Sequence, residues 1–338
     1  MRRRKIVARI VAPLVVVLVA GLALAAWART YVVQPGDSLW SIGQLYQLAV
    51  QALQGANGLP DHEIQPGQKL QVPDDTSQPD FAPLRQRMLA YLSQQPQTYA
   101  VYFQDLISGR SFGINDTEPM WAASTIKVPL VLYINQLAAQ GDLDWQEKLA
   151  YQADDYQGGA GILQFSAHPG DRYSLRVLAN LSITVSDNIA ARMLMRFVGK
   201  DSLAAYMRQI GGELVFPDGQ NLTTARDMGA YIRAVLAFRD QNPALGGRLL
   251  DDMANSIYHV GLPGKLPQTL TVAHKEGDLW AGGADKGVAD DVGVVFGSRP
   301  YILVVLSKGW DDPEDGFPHI AELSRLAYDY EEAQAQQG

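Results

Sequence analysis

Cysteine is absent from all 338 residues, which excludes disulfides, thiol catalysis and cysteine-ligated metal sites. Histidine is scarce: His62, His168, His259, His274 and His319 are scattered and form no H-E-x-x-H or similar ligand spacing. Neither a metal site nor a cofactor is therefore expected. Positive charge is also in deficit, with 28 Lys and Arg against 36 Asp and Glu for a net charge of -8. A partner with a phosphate backbone wants a basic face, so nucleic acid is set aside. The glycine-rich stretch Gly158-Gly-Ala-Gly161 lacks the G-K-[ST] ending of a phosphate cradle and has no evident strand before it, so it reads as a structural loop. Beyond residue 80 the regular alternation of short strands and helices that a parallel sheet needs is missing too.

What is present begins with a basic cap, Met1-Arg-Arg-Arg-Lys5, followed by an apolar stretch over 10–27. As a helix this stretch is about 27 Å long, close to the thickness of a bilayer's hydrocarbon core. The basic flank comes first, which places the N-terminus in the cytoplasm and everything after Ala28 outside. The reading is a single-pass membrane anchor. Ala26-Trp27-Ala28 also offers a cleavage site, and cleavage there would yield a secreted protein. A hydrophobic content of 47% and a charged content of 19% are ordinary for globular protein, and the length suits about two domains.

Residues 30–73 carry a pattern of their own. Tyr31-Val-Val33 alternates like a strand, Gln34-Pro-Gly-Asp37 is a turn, and a helix is expected over 38–46 with a second over 49–53. Asn57-Gly58-Leu59 turns back, and Gln65-Pro-Gly-Gln-Lys-Leu-Gln-Val-Pro73 closes with a turn and a strand. This βααβ unit resembles a LysM domain over its whole length, through Tyr31, Val33, Gly36-Asp37, Leu39, Ile42, Leu53, Asn57-Gly58, Ile64, Pro66-Gly67 and Leu70 to Pro73. The resemblance implies binding of N-acetylglucosamine-containing glycans, chiefly peptidoglycan. It puts the groove at Gly36, Asp37, Ser38 and Leu39 on one side and at Asn57, Gly58, Leu59, Ile64, Pro66 and Gly67 on the other. Gly36, Gly58 and Gly67 are equally what tight turns demand. Residues 74–80, polar and containing proline, read as a linker to a domain over 81–338.

In that second domain Trp121-Ala-Ala-Ser-Thr-Ile-Lys127 opens an apolar run. If the run is helical, Ser124 and Lys127 lie three apart on one face. A lysine in a poorly hydrated pocket loses basicity until it can accept a serine's proton. A lone S-x-x-K is equally a helix cap with a solvated lysine. An amphipathic helix begins at Phe81, two strands follow over 98–106 and 110–114, and helices occupy 174–197, interrupted by Ser186-Asp187-Asn188. That polar interruption is either a cap or a site. Further helices are expected over 202–210 and 224–238. Strands over 270–277, 288–296 and 301–306, with turns at 278–286 and 297–300, and a last helix over 320–330 with a polar tail complete the chain. The expected class is α+β: a small βααβ domain, then one five-stranded antiparallel sheet with helices on its faces and an all-helical part.

Order joins these signals. Ser124-Thr-Ile-Lys127, Ser186-Asp-Asn188 and Lys275-Glu-Gly277, with Thr223-Thr-Ala-Arg-Asp-Met228 and Asp290-Asp-Val-Gly-Val-Val295, resemble the landmarks of class A β-lactamases and penicillin-recognising serine hydrolases. The resemblance covers about residues 81–330 and implies a β-lactamase-like αβα sandwich. It implies Ser124 as nucleophile, Lys127 taking or relaying its proton, and Ser186, tuned by Lys275, passing a proton to the leaving group. Asn188 would bind the substrate's acyl side-chain amide, Glu276 and Gly277 would line the substrate's path, and the amides of Ser124 and Asp278 would hold the oxyanion.

Two departures qualify the likeness. The family's deacylating glutamate lies in an E-x-x-L-N loop, and residues 211–222 contain none; Glu213 and Asp218 are the only carboxylates there. Glu276 stands where the family has Thr or Ser to bind a substrate carboxylate. Two like charges about 4 Å apart at an effective dielectric of about 20 repel by roughly 4 kcal/mol. Either Glu276 turns away, or it is protonated, or the substrate lacks a carboxylate there. The expectation is an enzyme that acylates Ser124 on a peptide, ester or β-lactam and turns β-lactams over weakly. The alternative is a degenerate fold kept as a wall-binding or scaffolding module.

Overall fold

The structure, a computed structural model, describes residues 29–33, 37–46, 48, 50–60, 63–72 and 81–336. The anchor expected over 10–27, the cleavage point at Ala28, the groove residue Gly36 and the linker over 74–80 lie outside the described residues. No helix among those described is long and apolar enough to cross a membrane.

The first unit follows the expected βααβ order. Strand β1 (Arg29–Val32) pairs antiparallel with β2 (Lys69–Val72), and between them run α1 (Leu39–Tyr46) and α2 (Val50–Asn57). Val33, Leu39, Ile42, Leu48, Leu53, Leu70 and Val72 form its core. Each such buried aliphatic contributes about 1.5–3 kcal/mol. α1 packs so closely on the chain that follows it that a Cβ on Gly43 would stand 2.6 Å from the Leu48 carbonyl oxygen.

The second unit opens with α3 (Ala82–Leu92) and the hairpin β3 (Thr98–Asp105) and β4 (Ser111–Ile114). A short β5 (Met120–Trp121) leads into a 3-10 turn, Ala123–Ile126, and α4 (Lys127–Gln140). Next come β6 (Lys148–Ala150), α5 (Leu163–Ser166), β7 (Arg172–Ser174), α6 (Leu175–Thr184), α7 (Asn188–Val198) and α8 (Lys200–Gln209). They are followed by β8 (Leu222–Thr223), α9 (Ala225–Gln241) and α10 (Pro243–Ala254). The chain closes with β9 (Val272–Gly282), β10 (Lys286–Val295), β11 (Tyr301–Trp310) and α11 (Phe317–Ala335).

The five long strands form one antiparallel sheet in the order β4-β3-β11-β10-β9. Side chains alternate across a strand, and here both faces are covered. Ala100, Tyr102, Val292, Val294, Ile302, Val304 and Leu306 face the helical part, while Val101, Phe103, Val295, Leu303 and Val305 pack beneath α3 and α11. Burial on both sides explains why residues 301–306 read as an unbroken apolar run. α4 is buried nearly all round through Val128, Leu130, Val131, Leu132 and Ile134, as a central helix must be. β9, at the sheet's edge, lies against the turn that precedes α4.

Four expectations change. Residues 278–282 continue β9, because they keep pairing with β10 as far as Lys286↔Gly282, and do not begin a turn. α10, which the sequence reading passed over, starts on Pro243 at its first turn. The polar end of the chain is helical through Ala335. Within it Glu331 is wholly buried, where Arg299 bridges it (2.9 Å) to the equally buried Asp105.

Candidate active site

Ser124 does not sit inside the long helix. It occupies the 3-10 turn just ahead of α4, and the residue before it, Ala123, has φ 42°. A left-handed alanine costs about 1–2 kcal/mol, so something must hold it. The Ala122 amide donates to the Asn221 carbonyl at 2.9 Å, and the Asn221 side-chain Nδ2 donates to the Ala123 carbonyl at 3.0 Å. Behind them β5 pairs with β8, Met120 opposite Thr223 and Trp121 opposite Leu222. The segment between α8 and α9 thus props the nucleophile turn from behind.

Lys127 begins α4 and is buried. Its Nζ lies 2.9 Å from Ser124 Oγ, 3.1 Å from Ser186 Oγ, 2.7 Å from the Ser186 carbonyl and 2.7 Å from Asn188 Oδ1. Burial, helped by the charge of Lys275 and opposed by that of Glu276, pushes its pKa down to about 7. An amine with that pKa is half unprotonated near neutrality and can accept a serine's proton. Ser186, held at φ 53°, links the two lysines, since Lys275 Nζ donates to its Oγ at 2.9 Å. Ser124, Lys127, Ser186 and Lys275 therefore form one hydrogen-bonded chain.

Ser186-Asp187-Asn188 is both a cap and a wall of the site. Asp187 caps α7 by accepting from Ala190 N at 2.9 Å, and its other oxygen accepts from the amides of Ile162 and Leu163 at 2.7 and 2.8 Å. A Cβ on Gly161, at φ 104°, would stand 2.4 Å from Asp187 Cα. That contact is why the loop is glycine-rich. The Asn188 Nδ2 donates to the Gly158 carbonyl at 2.9 Å while its Oδ1 accepts from Lys127. Both ends of the amide are engaged within the protein.

The facing wall is β9. A Cβ on Gly277 would lie 2.8 Å from the Ser124 amide nitrogen and 3.1 Å from that of Thr125. Only glycine lets the strand approach the nucleophile turn this closely. An oxyanion hole built from the Ser124 and Asp278 amides requires this approach. Lys275 and Gly277 share the face that looks toward the helical part, so Glu276 leaves the strand on the other side. From the sheet's edge its carboxylate bends back to Lys275, with Oε1 2.5 Å from Nζ and Oε2 accepting from Ser256 Oγ at 3.2 Å. Burial works to raise the Glu276 pKa, but the charge and hydrogen bond of Lys275 outweigh it and leave the carboxyl below its usual value. Glu276 is therefore turned aside and ionised. Lys275 donates to Ser186 Oγ, to the Glu276 carbonyl at 2.8 Å and to Oε1. An ammonium has three donors, and all three are spent.

Glu213 and Asp218 are exposed, and neither is a hydrogen-bond partner of Ser124, Lys127 or Ser186. The amides of Glu213 and Leu214 are tied to Asp227 at 3.0 and 2.9 Å, and Phe216 and Asp218 turn at φ 47° and 51°. The connection is short and internally braced.

A model of the Beta-lactamase enzyme family matches residues 83–331. The chain belongs to that family. A LysM domain model matches residues 31–73, so this β-lactamase-family chain also carries a LysM domain. It is 26% identical over 247 residues to a β-lactamase of Bacillus licheniformis, covering 68% of this chain and 75% of that one. Among solved structures it is similar to PBP-A at 30% identity with a TM-score of 0.68, covering 75% of this chain and 97% of that one. A point mutant of PBP-A, solved as an acyl-enzyme complex with penicillin G, superposes with the same TM-score of 0.68 at 30% identity, covering 74% of this chain and 97% of that one. A β-lactamase from Sphaerobacter thermophilus, 22% identical with a TM-score of 0.64 over 73% of this chain and 95% of that one, shares the fold.

The fold brings Ser124, Lys127, Ser186, Asn188, Lys275 and Gly277 of this β-lactamase-family chain together. It adds two residues that the sequence reading missed, Asn221 behind the turn and Ser256 on Glu276, and it makes Asp187 of the S-D-N motif the anchor of the glycine loop. Asn221 immediately precedes the Leu222-Thr-Thr landmark, but nothing in its identity marks it. In the LysM unit two groove residues are engaged within the fold. Leu39 is 1% exposed and belongs to the core, since it faces inward as the first residue of α1. The Asn57 side chain is spent on Leu53 O (2.8 Å), Gln71 O (2.8 Å) and Gln71 N (2.6 Å), locking α2 to β2. Asp37 accepts from the Tyr31 hydroxyl at 2.7 Å. Ser38, Gly58, Pro66 and Gly67 are exposed, and Leu59 and Ile64 are half-buried.

Proposed function

We propose that this chain is an extracytoplasmic serine acyl hydrolase or transferase that forms an acyl-enzyme on Ser124 and releases it slowly. The observation that carries this reading is the buried Lys127, 2.9 Å from Ser124 Oγ, with a pKa of about 7. Neutral Lys127 takes the hydroxyl proton as Ser124 Oγ bonds to the acyl carbon. The Ser124 and Asp278 amides stabilise the resulting oxyanion. As the bond to the leaving group breaks, the proton returns to that group through Ser186, which Lys275 holds in place. Deacylation needs a base for water, and residues 211–222 supply no carboxylate to Ser124. A missing general base slows the step by about 10²- to 10⁴-fold. The PBP-A mutant solved as an acyl-enzyme complex with penicillin G supports acylation in a fold of this kind.

The LysM domain supports tethering to peptidoglycan or a related N-acetylglucosamine glycan. The basic cap and apolar stretch at residues 1–27 support a single-pass membrane anchor with both domains outside, or secretion after cleavage near Ala28. Intact-mass analysis after exposure to a fluorescent penicillin or a fluorophosphonate tests the chemistry. One adduct on the wild type and none on Ser124→Ala is expected. No adduct, or an equal one on Ser124→Ala, leaves a wall-binding module without catalysis. Retention on purified peptidoglycan, lost when residues 30–73 are deleted, tests the tether separately.

A further inference from the structure

Ten large apolar side chains are exposed among the described residues, and six of them stand on three segments that are held by, contact or carry residues of the site. Tyr156, Ile162 and Phe165 belong to the loop that Asp187 and Asn188 hold. Ile257 and Val260 belong to the segment where the Ile257 amide donates to Thr184 O at 2.9 Å and Ser256 contacts Glu276. Trp280 lies on β9, three residues past Gly277. Phe165 and Trp280 are 84% and 66% exposed, a costly placement for surfaces that touch nothing.

The floor of the cleft is closed to anions. Lys275 has no donor left, because Ser186 and both oxygens offered by Glu276 take all three. Lys127 is encircled by Ser124, Ser186 and Asn188. Glu276 is buried beside Lys275, and Asp278 follows Gly277 at the mouth. A carboxylate arriving on the leaving-group side finds no free donor on either lysine, because Glu276 occupies Lys275, and it comes near the exposed Asp278.

We infer that the cleft selects substrates with an uncharged leaving group and an apolar acyl group, and discriminates against those whose leaving group carries a carboxylate. This rests on the acyl-enzyme reading of Ser124. Apolar acyl groups gain by covering the exposed apolar side chains of these segments, and uncharged leaving groups need no donor from Lys275 and avoid the repulsion of Asp278.

Four thioesters test the inference with the full chain: acetyl and phenylacetyl thioesters of thioglycolate, and the same two of thioglycolamide. Attack of Ser124 forms the acyl-oxygen bond, breaks the carbon-sulfur bond and releases a protonated thiol that can be followed directly. The thioglycolamide esters should react at least about tenfold faster than the thioglycolates, and phenylacetyl at least about tenfold faster than acetyl. Glu276→Thr should shrink the first ratio and Phe165→Ala the second. Phe165 is so exposed that its replacement spares the fold. Equal or faster reaction of the thioglycolates, or no dependence on the acyl group, overturns the inference. So does a dimer that Phe165→Ala dissolves without changing the ratios, which would assign the rim to a second copy. A fluorophosphonate adduct on Ser124 separates the two failures: label with a carboxylate preference sinks only the selectivity, whereas no label sinks both.

Discussion

On the helical wall of the cleft, a buried amine is left short of counter-charge, and its pKa falls to about 7. On the strand wall, an equally buried lysine is given a carboxylate of its own, and Glu276 is held ionised beside it. The same residue type thus serves two ends. Desolvation without a partner makes Lys127 a base, whereas Lys275, tied to Glu276, serves as a hydrogen-bonding strut for Ser186. The difference teaches that proton transfer and anion recognition are separable in this fold. The groups for the first are joined by hydrogen bonds, and those for the second are turned inward.

Four experiments break or sharpen that contrast. Lys127→Met should have the largest effect, a loss of about 10²- to 10⁴-fold in the acylation rate with the fold retained, because it removes the base; stopped-flow labelling checks this. Gly277→Ala puts a methyl 2.8 Å from the Ser124 amide. Such overpacking costs about 1–3 kcal/mol, read as a drop in acylation of about 5- to 150-fold. The pH profile comes next. Only neutral Lys127 accepts the proton, so acylation should fall about tenfold for each pH unit below its pKa, which lies near 7, and level off above it. Glu276 raises that pKa, so Glu276→Gln should move the limb to lower pH; an unmoved limb would mean the two walls are electrostatically independent. Asn221→Ala should have the smallest effect. Losing one hydrogen bond to the Ala123 carbonyl costs about 1 kcal/mol, several-fold in acylation with little change in substrate affinity.

Much of this was legible in the chain because it depends on local chemistry. The S-x-x-K, S-D-N and K-E-G segments carry their spacing with them, and the unbroken apolar run over 301–306 announced a strand. α10 escaped because its twelve residues include two glycines and begin with proline, composition that reads as loop until packing against α9 and β9 is known. The end of β9 escaped because Asp278 to Gly282 look like a turn, and only pairing with β10 keeps them extended. Glu331 read as tail because burial of a glutamate is invisible until Arg299 arrives from the turn between β10 and β11.

The amino-acid sequence by itself determined which groups are available: two lysines, two serines, one asparagine, no cysteine and no E-x-x-L-N glutamate. It determined too that a LysM domain precedes them, since turn residues and apolar spacing are properties of neighbours along the chain. Only the tertiary structure decided what each lysine does. Burial, counter-charge and hydrogen-bond count belong to groups that meet from residues as far apart as 127, 186 and 275, and they set how readily Lys127 gives up its proton and which donors Lys275 has left. It also decided that Glu276 faces its own lysine and not a substrate, because strand alternation at the sheet's edge sends that side chain round the back.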